Sequence, residues 1–356
     1  MTYILGAMSG SSLDGLDLAV CSFSNQSKFS IHCADTVELP RDIRDKLKNF
    51  SSLSAYQLAD LEASFSIFSA HSIVDFLSVC KKQISLVVSH GHTLYHNPEN
   101  SVSWQIGNGG IIAAITGIDT LCDLRIQDVA LGGQGAPLAA IVDFDLFSDY
   151  NGLLNLGGIA NITIKFSNKV FSWDICPCNQ VFNHLALKVG REYDEGGNIA
   201  RRGEILMELV RSWQKNPYFS QKPPKTLDNT WVNKNFIKEI ENLDQPVENI
   251  MASFAEFMAI QIAKDLEVFT SGPGRILVTG GGAFNKYLIS RLNTHLLRRN
   301  WVIDVAKEKI VNFKEAMLMA YMGYRYIHNQ TNTISFATGA AKDLISGALY
   351  LGNGKK

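Results

Sequence analysis

The fold of this chain is decided by residues 153–164, which read Leu153-Leu154-Asn155-Leu156-Gly157-Gly158-Ile159-Ala160-Asn161-Ile162-Thr163-Ile164. Two apolar runs flank a pair of glycines, which is the pattern of a strand, a glycine turn and a second strand. The same pattern opens the chain, where apolar residues 3–5 and 18–21 flank a glycine-rich turn. Two halves that each begin with a glycine hairpin predict a duplicated α/β architecture, with a phosphate-carrying ligand held between the hairpins.

The turn near the N-terminus, called the first glycine turn below, reads Gly6-Ala7-Met8-Ser9-Gly10-Ser11-Ser12-Leu13-Asp14-Gly15-Leu16-Asp17. Its hydroxyls and exposed N–H groups can hold phosphate oxygens. Asp14 and Asp17 would repel phosphate unless a divalent cation or a water lies between them, so the mixture indicates a metal–nucleotide site. It is not a Walker loop, because no Gly-Lys-Ser/Thr follows. On spacing alone, a hairpin of small flexible residues is the equal alternative.

A third glycine segment follows a buried strand at Arg275-Ile276-Leu277-Val278-Thr279-Gly280-Gly281-Gly282-Ala283-Phe284-Asn285. A strand, three glycines and a helix let the backbone lie flat against the base and sugar of a nucleotide. The helix N-terminus adds free N–H groups for its anionic part. We therefore expect this segment on the adenosine side of a nucleotide site.

Composition bounds the kind of protein. The 356 residues predict two or three domains, and 46% hydrophobic against 19% charged residues allow a large core rather than disorder. The net charge of -1 gives no basic excess for nucleic acid or an anionic membrane. We expect no secretory signal and no apolar run of the ~18 residues that a membrane helix needs. The six scattered cysteines are expected to be free thiols in a reducing cytoplasm.

A candidate general base follows the strand at 170–173. Asp174 leads into Ile175-Cys176-Pro177-Cys178-Asn179, and a carboxylate at the end of a strand facing the cleft between the halves is well placed to take a proton. The alternative is that Asp174 caps a helix starting near Gln180. Cys176 and Cys178 are interpreted as small loop residues; a metal site is the weaker interpretation, because its other ligands are not evident.

Two further polar features have competing interpretations. The strand Ile84–Ser89 is expected to end in a loop, His90-Gly91-His92-Thr93, at the edge where open α/β sheets place ligands. A polar pocket wall is favoured there over a zinc site, since no matching ligands lie nearby. Glu315 is expected in the first turn of a helix that begins at Phe313, where the helix dipole alone would favour a carboxylate. The charged residues 194–202 face either a substrate or solvent.

The chain resembles the anhydro-N-acetylmuramic acid kinases over essentially its whole length. The first glycine turn, from Gly6 to Asp17, carries the resemblance together with motifs that follow in the expected order. These motifs are His90-Gly91-x-Thr93, Gln105-Ile106-Gly107, Asp123-x-Arg125-x-x-Asp128, Gly132-Gly133-Gln134-Gly135-Ala136-Pro137-Leu138, Asn155-Leu156-Gly157-Gly158-Ile159-Ala160-Asn161, Tyr193-Asp194, Gly280-Gly281-Gly282-Ala283-x-Asn285 and Lys314-Glu315-Ala316.

The resemblance implies an α/β, two-lobed actin-like ATPase (ribonuclease H-like) fold with a duplicated domain and an interlobe cleft that closes on ATP and Mg²⁺. We expect one lobe at 1–130, completed by the segment near 335–356, and a second at 131–334. The implied reaction phosphorylates the 6-oxygen of 1,6-anhydro-N-acetylmuramic acid while water opens the anhydro bridge. The product would be N-acetylmuramic acid 6-phosphate, in cytoplasmic recycling of the cell wall. A homodimer is what the family suggests.

The resemblance also implies roles for individual residues. Asp174 would activate the water, and no residue is assigned as a resident metal ligand. Cofactor binding is expected at Gly10, Ser11, Ser12, Leu13, Asp14, Gly15, Leu16, Asp17, Gly157, Gly158, Gly280, Gly281 and Gly282. Substrate binding is expected at His90, Gln105, Arg125, Asp128 and Glu315.

This sequence departs from the family pattern at three places. The family's Thr-Gly-Pro-Gly-Asn after the aspartate is Ile175-Cys176-Pro177-Cys178-Asn179 here, so that Cβ atoms are expected to narrow or reshape the site. The family's Gln in His-Gly-Gln-Thr is His92, and its Lys-Ser-Thr-Gly stretch is Lys225-Thr226-Leu227-Asp228. Two alternatives follow: a nucleotide-binding regulatory protein of the same fold with lost activity, and a kinase for another sugar.

Overall fold

The computed structural model describes residues 2–10, 13–24, 28–166, 169–223, 225–267 and 272–354, without the side chains of residues 166, 169 and 170. The chain divides into two compact units. Unit 1 comprises Met1–Ser148 and Phe313–Lys356, and unit 2 comprises Asp149–Asn312.

The first segment of unit 1 carries six strands and five helices among its described residues. The strands are β1 (Tyr3–Ser9), β2 (Leu16–Ser24), β3 (Lys28–Val37), β4 (Ile84–Asn97), β5 (Val102–Ile106) and β6 (Thr120–Cys122). The helices are α1 (Arg41–Lys48), α2 (Ala55–Cys80), α3 (Gly109–Thr116), α4 (Ile126–Ala130) and α5 (Ala140–Asp145).

Unit 2 is also built from strands and helices, and the chain then re-enters unit 1. The strands are β7 (Gly152–Leu156), β8 (Ile159–Phe166), β9 (Lys169–Pro177), β10 (Gly274–Thr279) and β11 (Trp301–Val305). The helices are α6 (Asn179–Leu187), α7 (Met207–Gln214), α8 (Asn229–Val232), α9 (Lys238–Glu241), α10 (Val247–Glu267) and α11 (Lys286–Leu297). The last elements are α12 (Glu308–Ile327), α13 (Ser335–Thr338) and β12 (Ala348–Tyr350).

Five strands of the unit 1 sheet have the same order as the five strands of the unit 2 sheet. In unit 1, among the described residues, the order is β12-β6-β4-β1-β2-β3, with β5 added to β4; in unit 2 it is β11-β10-β7-β8-β9. In each sheet a glycine hairpin joins the first two strands of an antiparallel meander. The first strand of each meander then pairs in parallel with a later strand, β4 or β10. The predicted α/β class and the duplication are therefore confirmed.

The junctions between the units differ from the expected lobe ranges. They fall at 148/149 and 312/313, whereas the expected lobes meet at 130/131 and 334/335. The reason is that α5 is anchored to α12: Lys314 Nζ lies 2.8 Å from Asp143 Oδ1, and the Tyr321 hydroxyl donates to Asp145 Oδ2 at 2.5 Å. These contacts keep both segments in unit 1.

Close packing between strand and helix in unit 1 depends on Gly6 of β1. A Cβ built on Gly6 would lie 1.8 Å from the Ala316 carbonyl oxygen and 2.7 Å from the Ala320 nitrogen, both in the backbone of α12. Real Cβ atoms do not approach backbone this closely, so only glycine permits this approach. The helix that carries Glu315 is thereby fixed against the strand that leads into the first glycine turn.

Helix α2 packs one face into the core of unit 1. Ser54 caps it through a reciprocal capping box with Gln57. By length and composition alone this helix could cross a membrane. It instead contributes Phe65 to one buried cluster and Ile73 to another, against residues of the unit 1 sheet. That packing is what a core helix shows.

One expectation about the cysteines is wrong. Cys33 in β3 and Cys80 at the end of α2 form a disulfide, with their Cα atoms 6.0 Å apart. Packing of α2 beside β3 brings together two residues that are 47 positions apart in sequence, and nothing in their spacing indicates it. Cys21, Cys122, Cys176 and Cys178 are free and buried.

One of two local expectations is also corrected. His90-Gly91-His92-Thr93 is not a loop, because β4 continues to Asn97 and pairs with β5. The strand persists since β5 supplies a hydrogen-bonding partner beyond the end of β1. Helix α12 is divided by a kink at Phe313, whose φ of −122° is not helical. Glu315 therefore lies in the first turn after the kink, as expected, and the helix-dipole interpretation stays open.

Candidate active site

Three strands of unit 2 end at the same edge of its sheet. β7 and β9 each pair antiparallel with β8, so they run in the same direction, and β10 pairs in parallel with β7. Gly157 follows β7, Gly280 follows β10, and Asp174 lies close to the end of β9. The carboxyl edge of such a sheet is where ligands bind in α/β folds. The fold thus brings two predicted nucleotide-binding segments and the predicted base to one edge.

Hydrogen bonds tie these segments to one another. The Cys178 and Asn179 backbone N–H groups donate to the carbonyls of Gly158 and Gly157, at 2.9 and 3.0 Å. Asn179 Nδ2 also donates to the Leu156 carbonyl at 2.9 Å. Gly280 has φ 78°, and a Cβ there would lie 2.4 Å from Asn155 Oδ1. The glycine turns are therefore held tightly against the start of α6.

Asp174 is a half-buried carboxylate held by a neighbouring segment. The Leu227 N–H donates to its Oδ2 at 2.9 Å, and its own N–H donates to the Lys225 carbonyl at 3.0 Å. Oδ1 accepts no hydrogen bond from the residues that the structure describes. Burial raises the pKa of Asp174, and the Leu227 hydrogen bond partly opposes that rise. A carboxylate of this kind is better suited to accept a proton near neutral pH than an exposed one.

The surroundings of Asp174 settle two alternatives from the sequence. Asp174 does not cap α6, because it lies within β9 and the N-cap position is Cys178. Cys176 and Cys178 are both 0% exposed and belong to the main apolar core of unit 2. Their side chains point into that core, so the expected narrowing of the site by their Cβ atoms is wrong. Burial raises the pKa of both thiols, which keeps them protonated.

The first glycine turn in unit 1 is described only in part. Ser11 and Ser12, two of the expected cofactor-binding residues, lie outside the described residues. Leu13 has φ 60° and donates its N–H to the Gly10 carbonyl at 3.2 Å. Gly15 and Leu16 are buried, whereas Asp14 is exposed. The visible part of the turn is a tight reversal that leaves the Asp14 carboxylate in solvent.

Asp17, Glu315 and Arg125 form a charged group in unit 1. The Thr36 hydroxyl donates to Asp17 Oδ1 at 2.6 Å, while burial and the Asp14 charge raise the pKa of Asp17. Burial and the Asp17 charge likewise raise the pKa of Glu315, which Arg125 partly opposes. A carboxylate whose ionisation is disfavoured by a neighbouring carboxylate is suited to a cation or to a proton.

Arg125 bridges two of the other predicted residues. Its Nε donates to His90 Nε2 at 2.7 Å, and one terminal nitrogen donates to the Gly135 carbonyl at 2.6 Å. His90 Nδ1 lies 3.1 Å from the Gly91 carbonyl, which requires the tautomer with hydrogen on Nδ1. Burial and the Arg125 charge lower the pKa of His90 to about 3. His90 is therefore a neutral acceptor that orients Arg125.

Asp128 and Gln105 have local partners. Asp128 is 0% exposed, and its two oxygens accept from the Gly135 N–H at 2.7 Å and the Thr338 hydroxyl at 2.6 Å. It therefore holds the Gly132–Leu138 loop. Gln105 Nε2 donates to the Ser103 hydroxyl at 3.0 Å. A substrate contact for either residue stays a prediction.

The charged segment 190–202 of unit 2 lines a cavity of about 440 Å³. Asp194 is buried beneath it and accepts from the N–H groups of Ile199 at 2.7 Å and Ala200 at 3.1 Å. Arg191, Glu192 and Tyr193 line the cavity. Asp194 thus shapes the wall of the cavity. The segment therefore lines a concave site and is not only a solvated surface.

Replacing His90 with glutamine tests its buried neutral state. Between the unfolded pKa of about 6.5 and the folded pKa of about 3, the unfolded chain binds a proton at His90 that the folded chain does not. Stability therefore falls as pH falls through this window. The free energy of unfolding is measured with urea at about pH 7 and about pH 5. Its decrease between the two pH values should be smaller by about 2 kcal/mol in His90→Gln than in the wild type.

The control is His71→Gln, which removes an exposed histidine from α2. It should lose as much stability as the wild type between the two pH values. Equal losses in His90→Gln and the wild type would contradict the assignment of a buried neutral imidazole beside Arg125.

A family model described as anhydro-N-acetylmuramic acid kinase matches residues 2–352. The chain belongs to the anhydro-N-acetylmuramic acid kinase family. It is 31% identical over 363 residues to an anhydro-N-acetylmuramic acid kinase of Vibrio vulnificus (strain CMCP6), covering 97% of each chain. It is 32% identical over 374 residues to one of Mannheimia succiniciproducens, covering 98% of each. The predicted family and its enzyme class, a phosphotransferase acting on a sugar hydroxyl group, are confirmed.

Solved structures with a similar fold were also found. Component A of the (R)-2-hydroxyglutaryl-CoA dehydratase of Acidaminococcus fermentans has a TM-score of 0.47 at 12% identity, over 90% of this chain and 96% of that one. A ROK family glucokinase of Streptomyces griseus has a TM-score of 0.38 at 10% identity, over 90% and 98%. The two mixed α/β sheets agree with the actin/hexokinase-like fold that membership of the kinase family implies.

Sequence reasoning missed part of the surroundings of Asp174. Lys225 is noted only as the first residue of a stretch that departs from the kinase family pattern. In the structure it is buried and paired with Asp265 of α10 at 2.9 Å. The position of Asp265 inside a long apolar helix is the one signal that could have found it, because a buried carboxylate needs a partner.

Proposed function

We propose that this chain uses ATP to convert 1,6-anhydro-N-acetylmuramic acid and water to N-acetylmuramic acid 6-phosphate. The oxygen of water forms a bond to the anomeric carbon, and the bond from that carbon to the 6-oxygen breaks. The 6-oxygen then takes the γ-phosphoryl group, ADP leaves, and the proton of water passes to a carboxylate. Membership of the kinase family supports the phosphoryl transfer, and the relatives' printed names support this sugar.

The placement of Asp174 is the observation that carries the proposal. Its Oδ2 is fixed by the Leu227 N–H, and its Oδ1 has no donor among the described residues. A fixed carboxylate with a free oxygen and a raised pKa can hold a water and accept its proton. Asp174 therefore acts as the general base in this proposal.

The nucleotide would be held by the three glycine segments. Gly157 and Gly158, with Gly280–Gly282, lie at one edge of the unit 2 sheet, and the turn Gly10–Asp17 follows β1 of unit 1. Their backbone can approach phosphates and ribose closely, because no side chains intervene. The glycine segments orient the nucleotide, and positioning is the main contribution that a protein makes to phosphoryl transfer.

The carboxylates of unit 1 fit Mg²⁺. Burial and the Asp17 charge raise the pKa of Glu315, and carboxylate oxygens are the ligands that Mg²⁺ takes. The described residues include no group of three or more His, Cys, Asp or Glu side chains that could hold a metal alone. Mg²⁺ typically completes its shell with water and phosphate oxygens. When bound, it would neutralise charge on the transferred phosphoryl group.

The sugar would be held by polar groups of unit 1. Arg125 is oriented by His90, and Gln105 lies beside Thr93 and Ser103. Asp128 would act by fixing the Gly132–Leu138 loop, and Glu315 by contact with the sugar. A guanidinium held by a neutral imidazole keeps its remaining N–H groups available for a carboxylate or hydroxyl of the ligand.

The competing functions are disfavoured by the environment of the altered loop. The regulatory protein rests on side chains at residues 175–178 changing the site, and the kinase for another sugar rests on that loop together with His92 and the stretch from Lys225 to Asp228. The side chains of Ile175, Cys176 and Cys178 are buried in the core of unit 2. We therefore keep them only as outcomes of the assay.

Incubation with ATP, Mg²⁺ and the anhydro-sugar tests the proposal. We expect one product heavier than the sugar by one water and one phosphoryl group, measured by mass spectrometry. ATP binding without product would favour the regulatory protein. Product from another member of a small panel of amino sugars, but not from this one, would favour a different kinase.

The remaining proposals concern the cellular location, the partners and the oligomeric state of the protein. We propose that the protein acts in the cytoplasm, where ATP is made, on a small-molecule sugar and without a nucleic-acid or membrane partner. We also propose the homodimer that the family suggests; sedimentation at micromolar concentration would measure it.

A further inference from the structure

Lys225 is buried in a part of unit 2 that has no regular secondary structure. Its side chain is 1% exposed, and its Nζ lies 2.9 Å from Asp265 Oδ2, whose side chain is 6% exposed. Burying two charges is costly and is tolerated only with close pairing and further hydrogen bonds. A segment without helix or strand is thus anchored by a single buried ion pair.

Asp265 accepts two further hydrogen bonds. The Trp173 indole N–H donates to its Oδ2 at 3.0 Å, and Gln261 Nε2 donates to its Oδ1 at 2.7 Å. Trp173 immediately precedes Asp174 in β9. One carboxylate on α10 therefore holds both the strand that carries Asp174 and the segment that begins at Lys225.

The same two segments contact Asp174 directly. The Lys225 carbonyl accepts from the Asp174 N–H at 3.0 Å, and the Leu227 N–H donates to Asp174 Oδ2 at 2.9 Å. Tyr218 contacts both Asp174 and Lys225. Its hydroxyl donates to the Asp174 carbonyl at 2.6 Å, and Lys225 Nζ lies 5.1 Å from the centroid of its ring. Segment 225–227 thus covers the free edge of β9 at the position of Asp174.

We propose that Lys225 and Asp265 are positioning residues for Asp174, holding segment 225–227 so that the Leu227 N–H fixes one oxygen of the carboxylate. The inference rests on the proposed function in taking Asp174 as the base. Neither Lys225 nor Asp265 contacts the reacting atoms in this proposal. Their effect passes through the backbone of Leu227 and through Trp173.

Breaking the ion pair should change how Asp174 titrates. The Leu227 hydrogen bond favours the charged carboxylate, so its loss raises the pKa of Asp174 further. The other titratable groups around it are Tyr218, Cys176, Lys225 and Asp265. Burial raises the pKa of Tyr218 and of Cys176, so neither competes as a charged group near neutral pH.

The test variant is Lys225→Met with Asp265→Asn. Removing both partners avoids leaving one buried charge unpaired, which would unfold the protein for an unrelated reason. Asp265→Asn alone gives a second route to the same comparison, because a buried lysine can lose its proton. Thermal unfolding first establishes that each variant is folded.

The main measurement is the titration of the Asp174 carboxyl carbon by ¹³C NMR, with its resonance assigned by its absence in Asp174→Asn. In the double variant we expect the pKa of Asp174 to rise by about one unit, the size expected for losing a hydrogen bond to a charged group. We expect kcat to fall about tenfold or more, with an unchanged KM for ATP, because the base is misplaced.

The matched control is Glu256→Gln. Glu256 lies on the same helix and is about as buried as Asp265, with its side chain 7% exposed; it pairs with the more exposed Arg291 at 2.6 Å and contacts none of residues 173, 174 or 225–227. It should leave the Asp174 titration unchanged. An unchanged Asp174 pKa in the folded double variant would overturn the inference, whatever the activity. Absence of product from the wild type would overturn the proposed function instead.

Discussion

Asp174→Asn is expected to lower kcat by about 10²–10⁴-fold, the usual contribution of a general base. Asparagine has the same shape, and its side-chain oxygen can still accept from the Leu227 N–H, which holds Asp174 Oδ2 at 2.9 Å. What is lost is the ability to take a proton. ATP affinity, measured by isothermal titration calorimetry, should be unchanged, so that the defect lies in the chemical step.

The pH profile gives the same prediction a second readout. Burial raises the pKa of Asp174, and the base must be deprotonated to act, so kcat of the wild type should rise with pH through that pKa. This acid limb should disappear in Asp174→Asn. The matched control is Asp228→Asn, an exposed N-cap of α8 that asparagine can replace. Near-normal kcat in Asp174→Asn would contradict the assignment of the base.

Gly6→Ala is expected to destabilise unit 1 by more than about 3 kcal/mol, the upper part of the range for overpacked cores. The added methyl would lie 1.8 Å from the Ala316 carbonyl oxygen of α12. Because that contact is with backbone, no side chain can rotate to relieve it, and the strand or helix must move. The thermal unfolding midpoint, measured by circular dichroism, should fall by roughly 6–12 °C.

Gly272→Ala is the matched control for this substitution. Among the residues that the structure describes, nothing lies within 4 Å of a Cβ at Gly272, so the midpoint should stay within about 2 °C of the wild type. A folded Gly6→Ala protein with the wild-type midpoint would mean that β1 and α12 do not pack as closely as described.

Repeated glycine hairpins allowed the fold class to be predicted from sequence. The pattern in residues 153–164 and its counterpart at the N-terminus correspond to the two meanders that share one strand order. The helix at 54–80 was predictable because its apolar residues recur at helical spacing and Ser54 supplies a cap. Local periodicity and turn chemistry are properties of short segments, and short segments are what a sequence displays.

Features that depend on distant segments were not predictable. The continuation of β4 past His90 depends on β5 as a partner, and the Cys33–Cys80 disulfide joins residues 47 positions apart. The altered loop at 175–178 was expected to reshape the site. The structure instead buries its side chains in the core of unit 2. In each case the side-chain direction or the pairing is set by which other element lies alongside.

For this protein, the sequence by itself determined the family, the duplicated α/β class and the identity of the candidate base, because these follow from residue types in local patterns. The tertiary structure alone decided how that base is held. Leu227, Lys225 and Asp265 come from a loop and a helix far along the chain, and only packing brings them to Asp174. A carboxylate's pKa and orientation are set by such neighbours in space, which sequence order does not record.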